Sequence, residues 1–431
     1  MVDDYSPVLG TGGGGRMGNG VISGSGTNDV FTGVTAQDRT SGATHLRKVW
    51  LAPMSDDNLL LSNAGVALTA RPGDANARMG VFPAVGDELI SAALTRLRTQ
   101  VLRLGTTTYP ASFTSGSNVA VLAGAHPLLV GDLVVIGSPI PALTADLSQS
   151  LRTVTAVSGL NVTYSGAASL STFSGQLGRA ERSTTTTGFC APALTTGALS
   201  SGGTSVAVDR MLERFDQSTS SYGLLGEHHL FFAGDTVLLQ HPSTPATREL
   251  RVLSRADYQT GTLTFSSGVS TSYPTGTRIT RVVPCGNVRA ALSLNVFSQQ
   301  TWQRLWADTP TGSITAQYNG VITLVNAGAV SDRWAVVFNS STAFDLVSER
   351  LGQIASGTTA ANFSPLNPNT NQPYFTLPSS GWGTGWLPGN CIRFNTQAAG
   401  SPVWVSRCII AGSATSGAVN AQYTLTGDVD A

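Results

Sequence analysis

The hexapeptide Gly234-Asp235-Thr236-Val237-Leu238-Leu239 has a near copy in Gly131-Asp132-Leu133-Val134-Val135-Ile136, and this duplication limits the possible folds more than any other feature. A His stands five residues before each Gly, as His126 and His229. Upstream, Gly116-Ser117-Asn118-Val119-Ala120-Val121 aligns with Gly203-Thr204-Ser205-Val206-Ala207-Val208. Downstream, Leu151-Arg152-Thr153-Val154 aligns with Leu250-Arg251-Val252-Leu253, and Val162-Thr163-Tyr164 with Leu263-Thr264-Phe265. Matched phrases in one order define a repeated module. A weaker third copy, Gly389-Asn390-Cys391-Ile392-Arg393-Phe394, precedes Val403-Trp404-Val405 and Tyr423-Thr424-Leu425.

Each phrase alternates β-branched or aromatic residues with polar ones and is bounded by Gly, Ser, Pro or Asn, the pattern of half-buried antiparallel strands. Gly131, Gly234 and Gly389 accept a positive φ, and the side chains of Asp132, Asp235 and Asn390 can bond backbone just beyond it. These six residues are read as structural turns that lead into strands. Acid catalysis at Asp132 and Asp235 is the competing reading, but a repeat preserves its turn more readily than a catalytic acid in every copy.

The predicted fold is mainly β and multi-domain, built of small β-barrel or β-sandwich modules, with one amphipathic helix in the N-terminal third and an extended N-terminal arm. Residues 1–45 read as a Gly-rich arm ordered by contact with other subunits, because Gly10 to Gly15 is too flexible to hold a core. Residues 46–105 form a small α/β segment, in which Leu46–Ala52 pairs with Val66–Thr69 and a helix spans 86–104. In that helix Ile90, Ala93, Leu94, Leu97, Val101 and Leu104 share one stripe, acidic residues sit at the start, arginines follow and Gly105 stops it. Module one covers 106–183 and module two 184–285, the latter with a helical insert at Asp209–Phe215. A β-sandwich-like domain with Trp302, Trp306 and Trp334 occupies 286–355, and 356–431 closes on the third copy.

A chain of 431 residues exceeds what one core supports. Only 12% of residues are charged, against 41% hydrophobic, and 25 basic residues balance 25 acidic ones. Without a basic block, nucleic acid is not expected as the main partner. A surface this poor in charge resists self-association weakly, which suits life inside an assembly. The sequence lacks a run of 18 apolar residues, so no membrane span is predicted, and the acidic start at Asp3 and Asp4 does not resemble a signal peptide.

Chemistry finds little foothold. The chain contains neither GxSxG nor CxxC, and adjacent His228 and His229 would face opposite sides of a strand. No catalytic, cofactor-binding or metal-ligating residue is assigned, and the chain is expected not to be an enzyme. Cys391 and Cys408 would face each other, at bridging distance, if Cys391–Asn395 and Val403–Arg407 formed a hairpin, so a disulfide there is a candidate.

Arg39-Thr40-Ser41-Gly42-Ala43-Thr44-His45-Leu46-Arg47-Lys48-Val49, together with Gly381-Trp382-Gly383-Thr384-Gly385-Trp386, Arg393-Phe394-Asn395-Thr396 and Pro402-Val403-Trp404, resembles phrases of tailed-bacteriophage virion proteins from the tail and baseplate region. The resemblance implies a structural subunit, made in the bacterial cytoplasm, whose partners are copies of itself and other virion proteins. A tail-tip or baseplate position is the leading expectation. A neck, collar or head-associated role is one alternative, and a tail protein that binds or trims host-surface polysaccharide is another.

Overall fold

The computed structural model describes residues 17, 22, 30–86, 88–93, 102–137, 151–166, 172–182, 190–214, 227–258, 260–294, 318–412 and 422–429. The chain is mainly β and divides among several sheets. Strands Leu102–Phe113, Val119–Leu122, Asn161–Tyr164, Leu151–Ser158, Leu133–Gly137 and Phe173–Arg182 close, in that order, into a barrel. Its interior holds Phe113, Ala120, Leu122, Val134, Val154, Val162, Tyr164 and Leu177.

The second module repeats this order with Ala193–Leu194, Ser205–Ala207, Thr262–Phe265, Arg248–Asp257, Thr236–Gln240 and Arg278–Arg281. A bridge between Thr195 and Val208 draws its end strands together. Register is shared: Val134 faces Arg152 and Arg179, as Val237 faces Arg251 and Arg281. One phrase is shifted from the sequence alignment. Backbone bonds Tyr164 N–H to Asn118 C=O and Phe265 N–H to Thr204 C=O are equivalent, so Gly116 matches Gly202, not Gly203. Both of those glycines have positive φ, +75° and +80°.

The Gly-Asp phrase is a four-residue turn in all three copies. Leu129, Phe232 and Leu387 each accept a backbone bond from the residue three places on, at 3.1, 3.1 and 3.0 Å. The middle glycine takes φ of +96°, +88° and +87° at Gly131, Gly234 and Gly389. The side chains of Asp132, Asp235 and Asn390 reach back, accepting the N–H of Leu129, Phe232 and Leu387 at 2.9, 2.8 and 2.9 Å. The acceptor therefore serves backbone before the glycine, not after it. Carboxylate and amide oxygen perform this task alike, which is why Asn stands in the third copy.

The third copy shares the turn but not the module. Cys391–Gln397 enters a five-stranded sheet beside Ala291–Leu294 and Asp332–Phe338, which continues through Ala343–Ser348 to Gly352–Thr358. Ser401–Ile409 leaves for another sheet, between Ala43–Leu51 and Ala77–Pro83. The expected hairpin is absent, and no disulfide joins Cys391 to Cys408. The five-stranded sheet takes strands from both sides of residue 355, and its core gathers Trp334, Phe338, Phe344, Phe375, Trp386 and Phe394.

Sheet Ala43–Leu51/Ser401–Ile409/Ala77–Pro83 stacks on a second sheet, in which Leu61–Ala70 lies between Val283–Val288 and Gln422–Val429. Val49, Val81, Val403 and Val405 meet Val66, Leu68 and Val283 between them. The other face of the first sheet sends Leu46, Phe82, Trp404 and Cys408 into the core of module two. Leu46–Ala52 and Val66–Thr69 are thus in facing sheets rather than paired.

Three local expectations need correction. Residues 90–93 are helical, but 102–104 are strand, pairing with Ala180–Arg182, and residues 94–101 lie outside the described set. The β-branched run Thr106 to Thr108 favours extended chain, and pairing across the barrel decides the matter. Leu212–Arg214 pairs with Glu227–His229 instead of forming a helical insert. The described part of the arm packs on its own chain: Met17 is buried against Trp50 and Ala398, and Ala36–Ser41 is a helix with a Thr35/Asp38 capping box.

The turns yield a ranked prediction. A Cβ on Gly234 meets nothing within 4 Å, whereas one on Gly131 falls 2.5 Å from the Ser254 carbonyl oxygen. Gly234→Ala should cost about 1–2 kcal/mol, from left-handed backbone alone. Gly131→Ala should cost more, because the obstructing atom is backbone. Asp235→Ala should cost about 1 kcal/mol for the turn bond alone and more for the charge lost beside buried Arg281, while Asp235→Asn keeps the turn bond and should cost less than Asp235→Ala. Urea midpoints of the four variants test this ranking.

Candidate assembly surface and a buried basic cluster

The titratable side chains Asp235, His126, His241 and Glu213 are each engaged in structure. Besides its turn bond, Asp235 acts electrostatically on buried Arg281, whose Nε donates to Cys190 Sγ at 3.0 Å. Burial alone would weaken the Arg281 charge, but Cys190, Asp235 and Tyr258 hold its pKa above the ordinary value. His126 Nδ1 accepts the Leu128 N–H at 3.2 Å, and His241 Nδ1 accepts those of Ser243 and Thr244, so both order local turns. Glu213 is buried in ion pairs with Arg78 and Arg210. Among the described residues, no group of three His, Cys, Asp or Glu side chains could hold a metal. The side chains of His228, His229, Trp302 and Trp306 lie outside the described set.

Aromatic rings are turned inward. Trp334 and Trp386 are fully buried, Phe338 stacks on Trp386 at 4.2 Å, and Trp334 Nε1 donates to Thr396 Oγ1 at 2.7 Å. Neither indole offers a face to a sugar.

Two outward features suit protein contact. On Arg248–Asp257, Leu250 and Val252 point outward in one row with Ser254. The Ser254 carbonyl lies against Gly131, so the row runs from module two into the turn carrying Leu129 and Val130, which are 67% and 53% exposed. The second feature is an edge. Gly352–Thr358 ends the five-stranded sheet with the sequence GQIASGT, which has no charge and no proline. Edge strands are usually blunted by such residues, since an open ladder recruits another strand.

A basic cluster forms where the helix Ala36–Ser41 meets the end of the first sandwich sheet. His45 faces Arg407 across the ladder, and Arg47 lies two residues along the same face. Arg407 is 4% exposed, its guanidinium 4.8 Å from the Phe31 ring centroid, with Nη1 donating to Thr32 C=O at 2.7 Å. Arg39 pairs with Asp74 at 2.5 Å, while Asp38 stands 3.8 Å from His45. Burial, reinforced by Arg407, lowers the His45 pKa to about 4, and burial lowers that of Arg407 to about 10. Sequence placed Arg47 on a strand but left His45 in the arm, and nothing in it linked either to Arg407.

No protein-family model matches the chain. No curated protein is similar to it. Among solved structures, the infectious bursal disease virus VP2 subviral particle aligns at 13% identity over 79% of this chain and 83% of that one, with a TM-score of 0.09, too low to carry an argument. Among the described residues, no helix is long and apolar enough to cross a membrane.

The basic cluster predicts a pH dependence. The unfolded imidazole titrates near 6.5 and the folded one near 4, so the unfolded chain binds the proton more readily between them. The stability due to neutral His45 is complete above the upper value and is lost as pH falls toward the lower. His45 faces Arg407, Asp38 and Arg47, and of these Asp38 works against the shift. His45→Gln should flatten the decline of the thermal midpoint over this interval relative to the parent.

Proposed function

We propose that this chain is a structural subunit of a bacteriophage particle, placed at the tail tip or baseplate and working through contacts with copies of itself and other virion proteins. The observation that carries the reading is the uncharged, proline-free edge Gly352–Thr358, a strand open to addition of another strand. The apolar row from Leu250 to Val130 and the 12% charge content add support, because such a surface gains from being covered. The resemblance of Arg39 to Val49 and of Gly381 to Trp386 to tail-region proteins supplies the particle. Burial of Trp334 and Trp386 weighs against the polysaccharide reading.

Position is tested by fusing a compact tag to the C-terminus and imaging virions by electron microscopy. Added density at the tail tip is expected, and absence of the chain from purified particles would overturn the proposal. Function at the edge is tested with Gln353→Lys/Thr358→Lys. Charges there should block incorporation into particles while leaving the monomer's thermal midpoint within about 1 °C. Normal incorporation of the double variant would remove the edge from the account.

A further inference from the structure

The Arg407 cluster is not used by the assembly reading, and its donors are arranged for a ligand. Arg407 Nε and Nη2 are both buried without a hydrogen-bond partner. They form the side-on edge of the guanidinium, the fork that grips two oxygens of one anion. Two further donor atoms beside it are in the same condition, Arg39 Nη1 and His45 Nε2. The Asp38 carboxylate is 3.8 Å from His45 Nε2, beyond hydrogen-bond reach, and its Oδ2 already accepts the Thr35 N–H at 2.8 Å.

We infer that Arg407, Arg39 and His45 form a binding site for a tetrahedral oxyanion of the phosphate or sulfate class. Four donor atoms on three side chains exceed the two oxygens of a carboxylate but match a ligand with an oxygen at each corner. His45 contributes as its neutral Nε2–H tautomer. The site is built rather than incidental, since its side chains come from the helix Ala36–Ser41, strand Ala43–Leu51 and strand Ser401–Ile409. Part-exposed Arg39 and His45 form the rim through which the anion enters, and Arg407 forms the floor. An anion here would tie segments from opposite ends of the chain together, so it should stabilise the folded protein by mass action.

The test is thermal unfolding of the full chain in sodium phosphate from about 1 to about 100 mM, with chloride balancing ionic strength. The midpoint should rise progressively with phosphate or sulfate, and acetate should do much less. Arg407→Lys keeps the charge but loses the fork, so its phosphate affinity should fall about tenfold or more. Should that variant fail to fold, Asp38→Asn provides the opposite arm: removing the nearby negative charge should tighten phosphate binding several-fold. Isothermal titration with inorganic phosphate supplies both affinities. The inference is overturned if phosphate stabilises no more than chloride or acetate, if Arg407→Lys binds it as well as the parent, or if Asp38→Asn leaves affinity unchanged.

Discussion

Coverage of strand Ser401–Ile409 on both faces is the constraint on which the rest of the molecule depends. Val403 and Val405 face the sandwich interior, while Trp404 and Cys408 face the core of module two. A strand in that position must be apolar on alternate residues in both phases, and its polar members must be provided for individually. Ser406 bonds the Gly80 carbonyl at 3.4 Å, and Trp404 Nε1 donates to Glu88 at 2.8 Å. Opposite Trp404, Lys48 donates to the carbonyl oxygens of Gly86 and Glu88 at 2.6 and 3.3 Å and lies 5.1 Å from the Trp50 ring centroid. Arg407 is the member of this strand whose needs the surrounding protein leaves partly unmet.

Salt links then fix module two to this layer. Arg71 forks Asp209 at 2.6 and 2.7 Å, and Arg78 reaches Glu213 at 3.1 Å. Arg71 and the Leu194 N–H hold the Asp209 carboxyl below its ordinary range, although burial alone would raise it. Module one is attached differently, through Gly131 against Ser254 and Thr153 Oγ1 donating to the Ala256 carbonyl at 3.0 Å. The first junction adds ion pairs to the apolar packing of Leu46, Phe82 and Trp404, and the second relies on close approach of backbone.

Strand alternation and turn chemistry were legible in the sequence because both are local. The registers Val134 to Arg152 and Val237 to Arg251 follow directly from the aligned phrases. The shared Val-Ala-Val letters, however, misplaced one phrase by a residue. Structurally, Ala120 and Leu122 match Val206 and Val208 as inward residues, and a shift of one would turn each set outward. Identity of letters was a poorer guide there than the period of two. The helix stripe ran past residue 101 because periodicity cannot register a distant strand, and Arg407 could not be joined to His45 for the same reason. The missing hairpin between Cys391 and Cys408 has a related cause: adjacent strands usually pair, but here each finds two better-placed neighbours in different sheets.

The ladder between Ala43–Leu51 and Ser401–Ile409 also sets a timetable for synthesis. The modules are continuous in sequence and can close as they leave the ribosome, but Ala43–Leu51 and Ala77–Pro83 have no shared strand between them until Ser401–Ile409 emerges. At roughly 5–20 residues per second, that interval is on the order of 15–60 s. Throughout it, two half-built edges stand open beside growing chains of the same sequence on neighbouring ribosomes. Premature termination anywhere before the final strands would leave those edges exposed permanently, so a truncated product would be a candidate for aggregation or proteolysis even with both modules intact.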